Sequence, residues 1–511
     1  MKRTTISLLA VTTALAAVTG FATLSAPGGD AAAPVAKAPT RLPVERAGLV
    51  CPAPSTSEVA ETVYTSYTPT GTTGGPAKAP GTKADAPTAK LGPAVSGATR
   101  GGTSNGGKAK TPQAPATVTA PGKPVTAQAN GSTAPALTGT ATGTLAPGWT
   151  VQQSTVVEAG GDRGLLGLTC GAPDTDFWFP AASTSKERQD YVHLTNPDDT
   201  AAVADIELYG PEGALKSQFT EGIPVPPRST VPVLLSTLTS EAAQRDVTVH
   251  VTTRSGRVGA AIGVADAKLG SDWISPAADP ASTAVLPGIP ADTAVVRLVA
   301  FAPGDDDADL KIQLATKSGT IVPAGEGSLH VKSGMTAAVI LPDLTRGEAG
   351  SLILTPSDPK KPVPVVAALQ IVRGKGENLE TAFIPAAAPI SARATVADNR
   401  AKASTLNLTA TGSDAQVRIT ASAGSGGGQP SSKTVTVKAG TTLAVPDPAP
   451  QGLKGAYALT VEPVSGGKVY AARTLSLPLD GVPMFTVQTL VDDRGTVEVP
   501  SAREDLKVLA D

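Results

Sequence analysis

The chain is poor in the residues that build metal centres and aromatic binding surfaces. Among 511 residues there are two Cys, three His, three Trp, six Tyr and seven Phe. So few Cys and His side chains exclude structural zinc sites, iron–sulfur clusters and multi-histidine metal centres. We therefore expect a protein that uses no metal and no other cofactor.

Charge of either sign is also scarce. Lys and Arg together number 42, Asp and Glu 44, and the formal net charge is −2. A nucleic-acid-binding protein needs a dense basic face to displace counterions from phosphates, so we expect no nucleic-acid partner. Domains usually contain about 100 to 200 residues, and the length therefore predicts several domains.

The N-terminus has the layout of an export signal. Lys2 and Arg3 precede an uncharged apolar segment at 6–24, and small residues with Pro27 follow. We predict a signal peptide at 1–26 and a linker at 27–40. The apolar segment approaches the roughly 20 residues that span a bilayer, so an uncleaved N-terminal membrane anchor is the alternative. Either way, we expect a secreted or extracytoplasmic protein associated with the cell envelope.

Residues 71–148 differ in composition from the rest of the chain. They contain no Ile, Phe, Met, Tyr, Trp or Cys and consist largely of Ala, Gly, Pro, Thr, Ser and Lys. Such a segment buries too little apolar surface to offset its ordering entropy, and we predict a disordered insertion. Its basic residues outnumber its single acidic one, Asp85, so it could rest on anionic wall polymers or lipid headgroups. Alternatively, the lysines only keep it soluble.

After residue 148, short alternating runs separated by Gly, Pro, Asn and Asp predict β-strands. The stretch that begins at Val225 returns at Val331 and again at Val437, each time 106 residues later. A fixed period indicates tandem copies of one unit, and a unit of about 105 residues has the size of an immunoglobulin-like sandwich. The strands predicted in the first copy are 191–194, 204–209, 225–235, 247–251 and 258–264.

The fold class predicted from this pattern is all-β, with tandem immunoglobulin-like β-sandwich domains and a long disordered insertion. The three copies are placed at 183–280, 281–388 and 389–511. A further, N-terminal sandwich is placed at 41–182, interrupted by the insertion at 71–148.

The N-terminal copy is inferred from three alignments with the first repeat. Residues 163–170 align with the strand at 257–264, residues 49–52 with 194–197, and residues 58–67 with the strand at 202–209. Cys51 then ends an early strand and Cys170 sits on a late one, which are the places that an intersheet disulfide joins. Two Cys in an exported protein most simply form one disulfide, and two free thiols are the alternative.

The search for catalytic groups finds no supporting pattern. His193, His250 and His330 each lie in a predicted strand between apolar neighbours of the opposite parity, so all three imidazoles should face solvent. None has a Ser or Cys nucleophile in a suitable context, and no Walker, dinucleotide-binding or zinc-protease motif occurs in the right setting. We predict no catalytic, cofactor-binding or metal-binding residues and a protein that is not an enzyme.

A cluster of four acidic residues has an alternative functional interpretation. Asp305, Asp306, Asp307 and Asp309 could converge on calcium, but their spacing is not that of an EF-hand, and a solvated turn is the preferred interpretation.

Aromatic side chains at the ends of the domains should pack between copies, with stacking on sugars as the alternative. These residues are Phe177, Trp178, Phe179 and Trp273.

The cysteine motifs carry a family resemblance. The chain contains Cys51-Pro-Ala-Pro, Cys170-Gly-Ala-Pro-Asp-Thr-Asp-Phe-Trp-Phe-Pro and Tyr191-Val-His-Leu-Thr-Asn-Pro-Asp-Asp-Thr-Ala-Ala. From Arg41 to the C-terminus it resembles a family of exported actinobacterial proteins known only as a domain of unknown function. The resemblance implies an envelope or secreted location and assigns no catalytic residue.

The sequence thus predicts a non-enzymatic binding or spacer protein of the bacterial cell envelope, whose partner is an envelope protein or a cell-wall polymer. The alternative is an accessory subunit that binds polysaccharide or an envelope glycan-assembly enzyme.

Overall fold

A computed structural model describes residues 40–71, 86–96, 116–219 and 221–499. The described residues form β-strands joined by turns, two short 3-10 segments (Gly143–Leu145 and Leu235–Thr237) and no α-helix. No helix in these ranges is long and apolar enough to cross a membrane. The predicted signal peptide or anchor lies outside the described residues.

The described residues divide into two units, 40–42 with 498–499 and Pro43–Val497. Strands β1 (Thr40–Pro43) and β35 (Thr496–Val499) form a two-stranded sheet. In the first unit, Arg41 forms an exposed ion pair with Glu498, with 3.1 Å between Nη2 and Oε1. All other sheets belong to the second unit.

Two four-stranded antiparallel sheets form an N-terminal sandwich. Their strands are β2 (Arg46–Cys51), β3 (Glu61–Tyr67), β4 (Ala89–Pro93), β6 (Thr117–Val118), β7 (Val125–Asn130), β8 (Leu137–Thr142), β9 (Thr150–Val157) and β10 (Gly164–Thr169). The order is β10-β9-β3-β7 in one sheet and β2-β8-β4-β6 in the other. Cys51, at the end of β2, is disulfide-bonded to Cys170, just after β10, which confirms the predicted disulfide between the two sheets.

The prediction of disorder throughout 71–148 is wrong for residues 86–96 and 116–148. Leu91, Val118 and Leu137 from this stretch are buried in the same core as Cys51 and Trp149. Leu, Ala and Gly alternate with Lys and Thr along β4 and β8, and this alternation supplies a core face despite the low average hydrophobicity. Residues 72–85 and 97–115 lie outside the described residues.

The second sandwich spans strands β11 to β19. These are β11 (Asp176–Ala182), β12 (Arg188–Thr195), β13 (Ala202–Gly210), β14 (Gly213–Ala214), β15 (Ile223–Val225), β16 (Ser229–Leu234), β17 (Val247–Ser255), β18 (Gly259–Asp266) and β19 (Gly270–Ile274). One sheet has the order β11-β17-β13-β14, with β15 also on β13, and the other has the order β19-β18-β12-β16. Strand β5 (Val95–Ser96) pairs with β16 in parallel. Because β11 pairs with β17, it belongs to this sheet, although the predicted boundary at 182 places it in the preceding domain.

The third sandwich repeats this arrangement. Its strands are β20 (Ala284–Ile289), β21 (Thr293–Phe301), β22 (Ala308–Ala315), β23 (Thr320–Ile321), β24 (Ser328–Val331), β25 (Thr336–Leu341), β26 (Gly350–Pro356), β27 (Val366–Lys375) and β28 (Asn378–Pro385). The sheets have the orders β20-β26-β22-β23, with β24 on β22, and β25-β21-β27-β28.

In the fourth sandwich two long strands run through both layers. The strands are β29 (Ala394–Asn399), β30 (Ser404–Ala421), β31 (Ser431–Val437), β32 (Thr441–Pro446), β33 (Tyr457–Ser476) and β34 (Phe485–Thr489). They form one six-stranded sheet in which β30 and β33 pair along their length, with register shifts at 411–415 and 416–417. The tandem sandwich fold that the sequence predicts is thus the observed one.

The fourfold arrangement of copies is visible, but the predicted alignment of the N-terminal copy is displaced by one strand. Strand β3 occupies the place of β12, between β9 and β7, whereas the alignment put residues 58–67 opposite the β13 region. Likewise β10 is the edge strand, as β19 is, and not the equivalent of β18. The alternation of small and apolar residues is similar in neighbouring strands, so a slip by one strand leaves the pattern intact.

Candidate functional site

The four sandwiches meet through the edge strands β10, β19, β28 and β34. Each of these strands ends its sheet or, for β34, pairs only with β33. Strand β10 contacts β19 and β34, and β28 also contacts β19 and β34, so the four strands close a cycle. Most residues in all four strands are buried. We call this set of strands the central junction.

The outward-facing amides of β10 are satisfied by carboxyl groups from two other sandwiches. Leu165 N–H donates to Glu380 Oε1 of β28 at 2.9 Å, and Gly167 N–H donates to Asp272 Oδ1 of β19 at 3.0 Å. An edge strand leaves one row of backbone groups unpaired, and burying them without partners is costly. The two carboxyl groups therefore take the place of a neighbouring strand.

Two glycines permit the close approach of the strands. A Cβ atom on Gly167 would lie 1.8 Å from Nε2 of Gln488 and 2.4 Å from Cγ2 of Thr486, both on β34. A Cβ atom on Gly270 would lie 2.6 Å from Glu380 Oε2, and Gly270 has φ +84°. A larger residue at either place would force the facing side chains of Gln488, Thr486 or Glu380 to move.

Burial dominates the electrostatics of the two carboxyl groups. It raises the pKa of Asp272 well above the usual range of an aspartate, although the Gly167 amide and the Thr486 hydroxyl act in the opposite direction. Thr486 Oγ1 lies 3.1 Å from each oxygen of Asp272. Burial also raises the pKa of Glu380 to about 8, against the opposing effects of the Leu165 amide and nearby guanidinium groups. Glu380 is therefore mostly protonated at neutral pH.

Arginine side chains surround the junction. Arg163 Nη2 donates to the Leu379 carbonyl at 2.6 Å and lies 4.0 Å from Glu380 Oε2. Arg473 on β33 is fully buried, and burial lowers its pKa to about 10. The Asp272 carboxyl group is close enough to counter part of that shift.

Paired carboxyl groups with displaced pKa values can in principle carry out acid–base chemistry. Here Asp272 is 1 % exposed and Glu380 0 % exposed, and both accept backbone hydrogen bonds across the junction. A substrate could reach them only if the sandwiches separated. The geometry therefore favours a structural role.

A second feature is an open cleft of about 640 Å³ between the N-terminal and fourth sandwiches. Val63, Thr126 and Gln128 of β3 and β7 line one wall. The other wall contains Arg400, whose Nε and Nη2 atoms lie 3.3 and 3.2 Å from the oxygens of Asp398. Ser425, Gly455 and neighbouring residues complete the lining.

Only one of the three histidines follows the expectation of a solvent-facing imidazole. His330 is half exposed, with Nδ1 2.8 Å from Asp309 Oδ1 and Nε2 3.6 Å from Asp307 Oδ2.

The expectation is wrong for His193 and His250. His193 packs edge-on against Trp273, with ring centroids 5.2 Å apart, and burial lowers its pKa to about 4. His250 stacks on Trp178 at 3.6 Å, with its two ring nitrogens 3.2 and 3.3 Å from Asp176 and Glu207. Alternation assigns the sheet face correctly, but the outer faces of these sheets are covered by aromatic residues and neighbouring sandwiches.

The acidic turn at 305–309 makes local contacts. Asp307 Oδ1 accepts the Ser333 N–H at 2.8 Å, and Ser333 Oγ donates to the Gly304 carbonyl at 2.7 Å. Within the described parts of the chain, no group of three or more His, Cys, Asp or Glu side chains is placed to hold a metal ion. The absence of a metal and of a cofactor remains a prediction.

The predicted packing of aromatics between copies is confirmed for the two tryptophans. Trp178 lies in a cluster with Phe301 and Val366 of the third sandwich, and Trp273 packs with Leu166 and Leu168 of the N-terminal one. Phe177 and Phe179 lie in the core of the second sandwich. All four are buried, which leaves none of them free to stack on a sugar.

Sequence reasoning missed Asp272 and Glu380. Each is the single charged residue of its strand, Gly270–Ile274 for Asp272 and Asn378–Pro385 for Glu380. A single acidic residue in such a strand is the available signal, because a charge is buried only where it is paired or hydrogen-bonded.

The protein is all-β and consists of serial sandwiches. At the central junction, the carboxyl groups of Asp272 and Glu380 hold the sandwiches together through hydrogen bonds. The chain belongs to DUF5719, a family of unknown function whose model matches residues 125–448. Comparisons with curated proteins and with solved structures found no match. Membership in a family of unknown function is as predicted, and the matched region begins after the Cys51 motif. The actinobacterial origin stays a prediction.

Proposed function

We propose that this chain is an extracytoplasmic, non-enzymatic binding or structural protein of the bacterial cell envelope. The observation that carries the proposal is the use of Asp272 and Glu380, the two carboxyl groups that satisfy the β10 amides, inside the central junction. Groups committed to holding four sandwiches together are not available to a substrate. The disulfide between Cys51 and Cys170 supports an oxidising compartment.

Location is tested by fractionating cells that produce the full chain and separating each fraction on non-reducing gels. We expect the protein in the envelope or the medium, with the mobility of the oxidised form. A variant with Cys51→Ala and Cys170→Ala supplies the mobility of the chain without a disulfide. Recovery of a reduced chain from the cytoplasm would contradict the proposal.

The non-enzymatic role is tested by chemical cross-linking in intact envelopes, followed by identification of the attached protein or polymer. Glu380→Gln preserves the size and the hydrogen-bond acceptor of a side chain that is mostly neutral in the folded protein. We expect this variant to retain the same cross-linked species. Loss of that cross-linked species in a folded Glu380→Gln protein would contradict a purely structural role of the carboxyl group.

The alternative, an accessory subunit that binds polysaccharide or a glycan-assembly enzyme, is supported by one observation. The cleft beside β3 and β7 is open and has hydroxyl, amide and guanidinium groups in its walls. Such groups match the hydrogen-bonding pattern of sugar hydroxyls.

A further inference from the structure

We infer that the cleft between the N-terminal and fourth sandwiches binds a short stretch of polysaccharide that carries carboxylate groups. This inference rests on the polysaccharide alternative of the proposed function and names its site and ligand class. The volume of the cleft, about 640 Å³, lies within the range of small-molecule sites.

Charged residues in the cleft lining and behind it favour an anionic ligand. Asp398 is fully buried and paired with Arg400, while Arg473 is close enough for the charges of both residues to affect its pKa. The three guanidinium nitrogens of Arg473 are buried and have no hydrogen-bond partner among the described residues. Arg400 and Arg473 are cationic and Asp398 is anionic, while the other carboxyl group that acts on Arg473, Asp272, has a pKa raised by burial.

Arg400 is the member of the group that a ligand can reach. Its side chain is 31 % exposed, whereas those of Asp398 and Arg473 are buried. The Nε–Nη2 edge of Arg400 is bound to Asp398, so the Nη1–Nη2 edge remains for a ligand, and the nearby charge of Arg473 adds to the positive charge behind the cleft. A guanidinium group binds a carboxylate through paired hydrogen bonds, which sets both affinity and orientation.

The remaining lining favours a sugar over a peptide. Thr126 and Gln128 are exposed on one wall, and Ser425 and Gly455 lie on the other. Peptides are usually anchored by bulky apolar side chains in apolar pockets, and the largest apolar side chain in this lining is Val63. Hydroxyl, amide and guanidinium groups instead suit a ligand with many hydroxyls and a carboxylate.

Binding is tested by calorimetric titration of the full chain with trigalacturonic acid, with its methyl ester as the uncharged probe. We expect the acid to bind and the ester to bind at least tenfold more weakly. Arg400→Gln should weaken binding of the acid at least tenfold. The matched control is Arg418→Gln, which removes an exposed arginine paired with Glu462 on the same sandwich and should leave binding unchanged.

Arg400→Gln leaves Asp398 without its partner, so Gln128→Ala supplies a second variant from the exposed opposite wall. We expect Gln128→Ala to fold normally and to weaken binding severalfold. No binding of the acid, equal binding of acid and ester, or equally tight binding of triglutamate would overturn the inference. If the protein lies in the envelope but binds no glycan, this inference is wrong and the proposed function still holds.

Discussion

Glu380 exchanges a solvated negative charge in the unfolded chain for a buried, mostly neutral carboxyl group at the junction. Its pKa rises from an ordinary value of 4.5 to about 8 on folding, chiefly because of burial. The folded form therefore holds its proton over a pH range in which the unfolded chain has lost it. This contribution to stability is complete below pH 4.5 and is lost as the pH rises to about 8.

The first prediction concerns this pH dependence. Glu380→Gln cannot ionise, so its free energy of unfolding should lack the decline, about 1.4 kcal/mol per pH unit, that one such group causes. Urea unfolding of the wild type and variant between pH 4.5 and 8 gives the difference directly. Asp190 and Asp493 also have raised pKa values, and their effects cancel in that difference. The effect of Asp272 cancels only in part, because the charge of Glu380 contributes to its raised pKa. Parallel pH profiles would show that Glu380 is ionised at the junction.

The second prediction concerns the close approach at Gly167. Gly167→Ala should lower the free energy of unfolding by about 1–3 kcal/mol, because the new methyl group overlaps Gln488 and Thr486. Gly92→Ala is the control, since a Cβ atom there meets nothing within 4 Å and φ is not positive. Thermal unfolding of both variants provides the comparison, and equal midpoints would mean that β34 does not pack on β10.

At the scale of the strands, the repeat period predicts structure in detail. Val225, Val331 and Val437 are all fully buried, and each pairs with an alanine at or near the start of the equivalent strand segment, Ala202, Ala308 and Ala415. The period can be detected in the sequence because all three copies share the same local pattern.

Turn chemistry explains why the fourth sandwich departs from its neighbours. The second and third sandwiches have Pro197 and Pro303 after the first long strand, and proline cannot continue a ladder. The corresponding stretch, residues 410–413, contains no proline, and β30 runs through it.

At residues 71–148, the average composition predicts the structure less well than the alternation of residues does. Averaged over the segment, small and polar residues predict disorder, whereas the alternation in β7 and β8 supports strands. Burial of Leu91 and Leu137 depends on packing against the other sheet, a tertiary contact that average composition does not show. The central junction could not be predicted for the same reason, because sequence patterns do not show which edge strands meet.

The third prediction tests the strand that composition concealed. Leu137 on β8 is 2 % exposed within the core that surrounds Cys51. Leu137→Ala should therefore lower the free energy of unfolding by about 2–5 kcal/mol. A change below 0.5 kcal/mol in urea unfolding, the size of a surface substitution, would support the original prediction of disorder.

The fourth prediction concerns the disulfide that joins the two N-terminal sheets. Cys51 and Cys170 are 119 residues apart, and the chain-entropy model gives about 5 kcal/mol for a loop of this size. Replacing both by Ala should lower the free energy of unfolding by about 2–5 kcal/mol. The wild type with reductant should show the same loss, and an unchanged urea midpoint in both samples would contradict a stabilising bond.

At the scale of the whole second unit, the contacts between sandwiches form a cycle. Strand β11 packs on β21 and β27, β20 on β30 and β33, and β29 on β3 and β9, while β2 contacts β18. Each sandwich therefore places its first strand against the next one, and the fourth returns to the N-terminal one. Together with the central junction, this arrangement predicts that the four sandwiches behave as one body and that none of them opens separately.

Hydrogen exchange followed by mass spectrometry tests this central claim most directly. Strands β10, β19, β28 and β34 are edges in their sheets, but they are buried at the junction, whereas β31 is an edge with mostly exposed side chains. We expect peptides from the four junction strands to exchange slowly and at similar rates, and peptides from β31 to exchange much faster. If the junction strands exchange as fast as β31, the sandwiches are not held together by the carboxyl groups and strands described above.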